Sequence, residues 1–383
     1  MYQKCIKIWN IFAGLIGLAL LFFAIKQFIL TPNLLVHPDN FINYEGGFIR
    51  RGLDGQLLYS LSRFFNINIL TTISVYNVST LILAIILIVV FKIKNKIPTY
   101  ILLSMSILLL YLMYIDGGVR KDHVLFIFIF LQSSFFSKKL SFKSVGSKIS
   151  FVLMNILGTL IHEVFFIITF LPVIIGFWIE SKIHVNVNFA QRLFLVLPST
   201  VLFILLLTVF VGNNEQADLI KHSYYNISYN LDYLNALFSK SFFFWNQNYN
   251  LKSIIIFLGT LFLHVLFIWI SVYNQLEYSY RKFLFTILLL GQSMVLIFLC
   301  MISIDYARWV FLCFFSLIVF IYQYNLPKSK ELNIVYLDWI GMKLRYIPFT
   351  LFFILTMPHS HWNGLDSLYK NNIFIQLKNK FSK

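Results

Sequence analysis

The chain has 383 residues, of which 59% are hydrophobic and only 12% are charged, and its formal net charge is +16 at pH 7. A soluble domain of this size needs far more polar surface, so the composition excludes a water-soluble globular protein and indicates an integral membrane protein. The lysines and arginines form short clusters between apolar runs, which is typical of topology signals, so nucleic acid is not an expected partner.

Apolar runs that cross, or nearly cross, a bilayer follow one another along the chain. They predict an all-α fold, a polytopic membrane helix bundle of about eleven transmembrane helices, forming a single transmembrane domain over residues 1–383. The first run follows basic residues but no small-residue cleavage site follows it, so it is predicted to remain as a helix. The predicted spans are 8–25, 70–91, 97–115, 124–137, 150–161, 164–179, 193–211, 253–273, 283–304, 309–325 and 346–358.

The basic clusters set the predicted orientation of these helices. With a cytoplasmic N-terminus, strict alternation places the lysine and arginine clusters on the inside, as the positive-inside rule requires. The two longest polar loops, at about 26–69 and 212–252, then lie outside. The acidic residues that fall inside are Glu180, Glu277, Glu331 and Asp338.

One alternative would change this topology. Residues 150–179 also fit a single long helix with His162 and Glu163 in its middle, and every later span would then reverse direction. Lys182 and Arg192 favour two separate helices, because only then do both fall on the inner side. The shortness of 124–137 and 150–161 also fits half-depth helices around a water-filled cavity.

Polar clusters converge on the outer face in this topology. Ionisable groups at the ends of apolar helices are costly and are usually retained for a pathway or a site. The clusters are YEGGFIRRGLDG (44–55), DGGVRKDH (116–123), HE (162–163), GNNEQAD (212–218), DYARW (305–309) and PHSHWNG (358–364).

The first of these clusters predicts a phosphate-binding loop. Its glycines permit tight turns and close approach of the backbone. Arg50 and Arg51 carry planar guanidinium groups that match phosphate oxygens, so both are predicted substrate ligands, and Glu45 and Asp54 flank them. The alternative is a surface loop whose arginines meet lipid headgroups.

The second cluster adds further predicted substrate ligands. A helix that begins near Gly118 would place Arg120 and His123 on one face, beside Lys121, with its positive end available to an anion. The alternative is a solvated turn.

The late clusters complete the predicted site. Asp305 and Arg308 stand three residues apart at a helix end and are predicted substrate ligands, an intrahelical ion pair being the alternative. His359 and His361 have no cysteine or convincing carboxylate partner, so no metal is predicted. Motifs for nucleotide binding and for serine or zinc proteolysis are absent from the sequence, so these activities lack support.

The strongest catalytic candidate is Glu163. It follows His162 in the apolar stretch GTLIHEVFFI, where an ionised carboxylate is expensive to bury. The sequence therefore predicts a raised pKa and a role as general base or acid, with His162 and Glu45 as further catalytic candidates. For His162 the alternative is a satisfied core residue.

Several arginines, one or two carboxylates and aromatic rings suit an amphiphile with a diphosphate and a sugar. With EGGFIRRGLDG in the first outer loop and DYARW late in a many-spanned chain, the sequence resembles the bacterial O-antigen and capsule repeat-unit polymerases. The resemblance implies polymerisation of a lipid-linked oligosaccharide on undecaprenyl diphosphate, at the periplasmic face of the inner membrane, without metal or cofactor. Membrane lipid, a chain-length regulator and a flippase are the further partners it implies.

Two other functions remain open. The sequence also resembles C-type glycosyltransferases, in which an acidic catalytic residue lies in the first outer loop; Asp39 or Glu45 would then be the base, and the donor a polyprenyl-phosphate sugar. In a flippase for lipid-linked oligosaccharides, the same charged residues would line the path along which the substrate crosses the membrane. Polar residues through the membrane depth and an inverted repeat are expected of a flippase, and the sequence shows clustering on one side instead.

Overall fold

The computed structural model describes residues 36–95, 121–136, 142, 144–183, 188–224, 279–302 and 306–324, with isolated positions between 227 and 276. Within these residues the fold is all-helical, which confirms the predicted fold class at that level. Three helices of the described residues are long and apolar enough to cross a membrane, which indicates a membrane protein. The total of about eleven spans and the side of the N-terminus stay predictions; 8–25, 97–115 and 346–358 lie outside the described residues.

The long apolar helices of the described residues follow the predicted spans, whereas two shorter helices lie in the predicted outer loops. The three long apolar stretches, Ile69–Asn95, Val164–Lys182 and Ser279–Leu299, coincide with the predicted spans at 70–91, 164–179 and 283–304. The helices are α1 (Gly52–Phe64), α2 (Ile69–Asn95), α3 (Asp122–Ser134), α4 (Val145–Ile161), α5 (Val164–Ile183), α6 (Phe189–Leu193), α7 (Leu197–Thr208), α8 (Asn214–Ser223), α9 (Ser279–Ile302) and α10 (Tyr306–Gln323), after a 3-10 turn at Pro38–Phe41.

The chain breaks between α4 and α5, which excludes the single long helix over 150–179. His162 is extended, with φ −159° and ψ 121°, and Glu163 therefore lies at the junction and not inside a span. The two helices approach closely here, since a Cβ on Gly158 would run into the ring of Phe165. We call the end of the bundle at which α4 ends and α3 and α5 begin the site end.

The central helix of the described bundle is α5, which packs against α3, α4, α9 and α10. Pro172 within it has no N–H, so the carbonyl of Ile168 lacks its usual helical donor. Neighbouring helices supply donors instead: Gln292 Nε2 on α9 lies 2.7 Å from this oxygen, and Ser316 Oγ on α10 lies 3.3 Å from it. One carbonyl thus joins three helices, and a backbone group that lipid could not satisfy is paired.

The buried apolar side chains form two separate clusters. The larger one fills the helix bundle. The smaller one lies between the 3-10 turn, α1, the start of α2 and α8, with Phe41, Leu58, Ile73 and Ile220 in its centre. We call residues 36–68 together with 212–224 the cap. Both segments fall in predicted outer loops, and the structure shows that each contributes a helix to one shared core.

Candidate functional site

The candidate site is a group of charged side chains at the site end of the bundle. Glu163 is only 1% exposed, and Arg51 binds its carboxylate through two nitrogens. Arg51 Nε lies 3.0 Å from both Oε1 and Oε2, and Nη2 lies 2.5 Å from Oε1. Arg50 Nη1 lies 4.0 Å from the same Oε1. Predicted residues from two different clusters, 112 positions apart, are therefore brought together. We call Arg50, Arg51, His162 and Glu163 the Arg51–Glu163 cluster.

The backbone at Arg51 is held in an unusual conformation. Its φ is 63°, a left-handed value that costs a residue with a Cβ about 1–2 kcal/mol, so the surroundings must hold it there. Its carbonyl accepts a hydrogen bond from Lys121 Nζ at 2.7 Å. The following residue, Gly52, lies so close to the ring of Tyr44 that a Cβ would strike it. Strained backbone of this kind is typical of functional sites.

A second buried ion pair, Lys121 with Asp54, holds the backbone of Arg51. Lys121 is 1% exposed, and its Nζ lies 2.6 Å from Asp54 Oδ1. The ammonium is thus held by Asp54 and by the Arg51 carbonyl, and the predicted role of Lys121 as a direct substrate ligand stays a prediction. The sequence placed Asp54 beside the arginines of the first cluster but predicted no catalytic or ligand role for it. The available signal was its place in the charged run, three residues after Arg51.

The electrostatics of Glu163 differ from the prediction. Burial by itself raises the pKa of Glu163, but the charge and hydrogen bonds of Arg51, with the charges of His162 and Arg50, together outweigh burial, and the pKa lies below its ordinary value. The predicted raised pKa is therefore wrong for this state of the protein. For the cation Arg50, burial has the opposite effect and lowers the pKa, whereas the charge of Glu163 raises it. In the structure Glu163 is an ionised carboxylate whose oxygens are occupied by Arg51.

His162 lies beside this carboxylate. Val164 N–H lies 3.3 Å from its Nδ1. Glu163 Oε2 lies 3.5 Å from the same nitrogen. Its ring meets the edge of Trp309, with centroids 5.9 Å apart. The DYARW cluster thus reaches the site through its tryptophan.

Other predicted ligands are placed less fully. His123 is buried in the first turn of α3. Lys121 is the N-cap residue of α3, so this helix begins at Asp122 and not near Gly118. Arg308 belongs to the first turn of α10, but its side chain lies outside the described residues. The same holds for the whole of Arg120, Asp305, His359 and His361.

The two acidic candidates of the first outer loop lie in different environments. Glu45 is exposed at a turn of the cap, where its N–H donates to Asn43 Oδ1 at 3.1 Å. Asp39 is buried, lies 3.4 Å from His37 Nδ1, and its charge acts on Arg50. Of the two, Asp39 is therefore the one placed near the Arg51–Glu163 cluster.

Comparison with known proteins finds no matching protein family, no similar curated protein and no similar solved structure. The Arg51–Glu163 cluster offers two guanidinium groups to an anion, and it holds one buried carboxylate that becomes more basic if Arg51 is drawn away. The left-handed Arg51 and the Lys121–Asp54 pair fix these groups in place.

Proposed function

We propose that the protein is a glycosyl-transfer enzyme of the bacterial inner membrane. It polymerises undecaprenyl-diphosphate-linked repeat units of a surface polysaccharide, O-antigen or capsule, at the periplasmic face. The observation that supports this proposal most is the contact between Arg51 and Glu163 at the site end of the bundle. A buried ion pair is weak evidence for stability, because the cost of removing both charges from water offsets their attraction. Ionisable groups kept at this position are better explained by use.

The arginines are suited to a diphosphate. Both side chains are more exposed than the carboxylate they approach: 9% for Arg50 and 18% for Arg51, against 1% for Glu163. An incoming anion therefore meets the guanidinium groups first. Phosphate oxygens form the same two-point contact with arginine as a carboxylate does, so a diphosphate competes with Glu163 for Arg51.

The proposed reaction uses each of these groups. A hydroxyl oxygen of the acceptor sugar attacks the anomeric carbon of the donor and forms the new glycosidic bond. The bond between that carbon and the phosphate oxygen breaks, and the polyprenyl diphosphate leaves with the bonding electron pair. Arg50 and Arg51 stabilise the charge on the leaving group, and Glu163 accepts the proton of the attacking hydroxyl.

The geometry couples donor binding to the basicity of Glu163. Without a ligand, Arg51 keeps the pKa of Glu163 low, and the carboxylate is a weak base. A diphosphate that draws the guanidinium away removes this influence, while burial continues to raise the pKa. Glu163 therefore becomes an effective base only when the donor is in place, which protects the site from unproductive proton transfer.

The first test is genetic. The gene is deleted in its host, and extracted surface polysaccharide is compared on a gel after complementation with wild type, Arg51→Gln and Glu163→Gln. Glu180→Gln, at the opposite end of α5, is the matched control, and immunoblots verify equal amounts in the membrane. We expect wild type and the control to restore the full ladder, and both site variants to leave a single capped repeat.

Other outcomes of this experiment would overturn the proposal. A full ladder from both site variants would remove the cluster from the reaction. If deletion abolished the polysaccharide altogether, or shifted every rung by one sugar, chain extension would be the wrong step. Loss of the polysaccharide would favour the flippase function, and shifted rungs the transfer of a single sugar.

One observation favours a second candidate, the C-type glycosyltransferase with a polyprenyl-phosphate donor. Asp39 is a buried acidic residue in the first predicted outer loop, and its charge acts on Arg50. In this mechanism Asp39 is the base and the arginines hold the single phosphate. Asp39→Asn would then shift the rungs of the ladder, whereas in the polymerase mechanism Glu163→Gln gives the complete defect.

A further inference from the structure

Helix α1 has an exposed apolar stripe in addition to its buried face. Leu57, Leu61 and Phe64 are 56%, 46% and 81% exposed. At about 100° per residue, these three side chains fall within an arc of about 60° on the helix. The buried face of α1, which includes Leu58 and Tyr59, points elsewhere, into the core of the cap. The helix therefore has three faces: the buried face, the exposed apolar stripe, and an exposed polar face.

The polar part of α1 lies beside the stripe. Ser60 and Arg63 are both exposed. Arg63 Nη1 donates to Tyr59 Oη at 3.0 Å, and its guanidinium lies 5.3 Å from the centroid of the tyrosine ring. The exposed surface of α1 thus has an apolar part and a polar part, and the cation Arg63 belongs to the polar part. This arrangement is typical of a helix that lies in a membrane interface.

Both ends of α1 are attached to membrane helices. At its start, Arg51 contacts Glu163 at the end of α4. At its end, only residues 65–68 separate Phe64 from Ile69, where the long span α2 begins. With 13 residues, α1 is about 20 Å long, which is too short to cross a bilayer.

We propose that α1 lies in the membrane interface at the site end of the bundle, with its apolar stripe among the acyl chains of the lipids. The occupant of the stripe is the lipid leaflet, because α1 leads within four residues into the span α2, whose apolar side chains Val75, Leu83 and Ile86 are also exposed. Arg63 then meets the anionic phosphates of the headgroups. This inference rests on the geometry of α1 and does not require the proposed reaction.

The position of α1 has a consequence for the Arg51–Glu163 cluster. Arg51 is the N-cap residue of α1, so a helix held in the interface keeps the cluster close to the headgroup level. A phosphate attached to a membrane lipid lies at that same level. Such a ligand reaches the arginines without leaving the membrane.

The experiment uses fluorescence quenching on the full chain in liposomes of phosphatidylethanolamine and phosphatidylglycerol. Cys5, Cys300 and Cys313 are replaced by alanine, and a single cysteine is introduced by Leu61→Cys or, as matched control, by Ser60→Cys. Each is labelled with the probe NBD. We expect the probe at position 61 to show blue-shifted emission and quenching by lipids with a nitroxide on the acyl chain, and the probe at position 60 to be quenched by aqueous iodide.

Two outcomes of the same measurement would contradict the proposed position of α1. Equal quenching of both probes by iodide would place the stripe in water and overturn the proposal. A probe at position 61 that is shielded from both quenchers, with self-quenching that grows with the protein-to-lipid ratio, would assign the stripe to a second copy of the chain. Leu57→Cys repeats the test on the same stripe and must reproduce the pattern of position 61.

Discussion

The two ends of α5 each place a glutamate beside an arginine, yet the pairs differ in the burial of the glutamate and in the closeness of the contact. At the site end, Glu163 is 1% exposed and Arg51 binds it at 2.5–3.0 Å through two nitrogens. At the other end, Glu180 and Arg192 are 18% and 12% exposed, and Arg192 Nε approaches no closer than 3.9 Å. Arg192 also lies over the ring of Phe142, 4.8 Å from its centroid.

This difference predicts that the two ion pairs contribute differently to the stability of the fold. Partly exposed ion pairs stabilise a fold by about 0–1 kcal/mol at most, because water and salt screen them. A desolvated pair brings a large cost for each charge, and breaking it costs about 3–5 kcal/mol. The charges at the Glu180 end anchor a helix terminus, whereas those at the Glu163 end are organised as a site.

The largest expected effect on stability comes from the buried Lys121–Asp54 pair, which holds the carbonyl of Arg51. Lys121→Met keeps the length of the side chain but leaves Asp54 buried and unpaired, so we expect a loss of about 3–5 kcal/mol in the free energy of unfolding. The double variant Lys121→Met with Asp54→Asn should recover part of this loss, because no buried charge then remains unpaired. Thermal unfolding in detergent measures both. Equal losses in the single and double variants would show that the pair is not coupled.

The direct comparison of the two ends gives an intermediate effect. Glu163→Gln replaces the charged hydrogen bonds to Arg51 by neutral ones and keeps the shape of the side chain, so it should cost about 1.5–3 kcal/mol of stability, less than the loss of a whole buried partner. Glu180→Gln should cost less than about 1 kcal/mol. Paired unfolding curves of the two variants, recorded at low and high salt, test the comparison. A loss at position 180 as large as that at position 163 would contradict it.

How far these features follow from sequence differs between the helices and the site. The spans α2, α5 and α9 are predictable because a long apolar run has few alternatives. The break at His162 and Glu163 is predictable because charged residues interrupt such a run. The helices α1 and α8 are not, since their stability comes from one core that joins distant segments.

The electrostatics of the site also depend on distant residues. Arg51, which lies 112 positions away, has the largest lowering influence on the pKa of Glu163, whereas the apolar stretch around Glu163 predicts the opposite direction. The partners Lys121 and Asp54 are 67 positions apart. Gln292 compensates for Pro172 by binding the carbonyl of Ile168, 124 positions away from it. A single sequence identifies such groups by type and cannot pair them.

The smallest expected effect is on the pH dependence of stability. The pKa of Glu163 is lower in the folded protein than in the unfolded chain, so its stabilising contribution is present above the unfolded value of about 4.5 and is lost as the pH falls through the folded value. Between about pH 6 and pH 8 the difference in stability between wild type and Glu163→Gln should therefore stay constant. It should shrink below about pH 4.5. A difference that shrinks near neutral pH would show that Glu163 titrates there and that Arg51 does not hold it.

The central claim is that the Arg51–Glu163 cluster binds the diphosphate of a lipid carrier, and equilibrium binding tests it most directly. A radiolabelled short-chain polyprenyl diphosphate is titrated onto the full chain in lipid nanodiscs, comparing wild type, Arg51→Gln and the control Arg192→Gln. We expect wild type and Arg192→Gln to bind alike, and Arg51→Gln to lose about tenfold or more in affinity, which corresponds to about 1.4 kcal/mol. Equal affinity of Arg51→Gln and wild type would contradict the account.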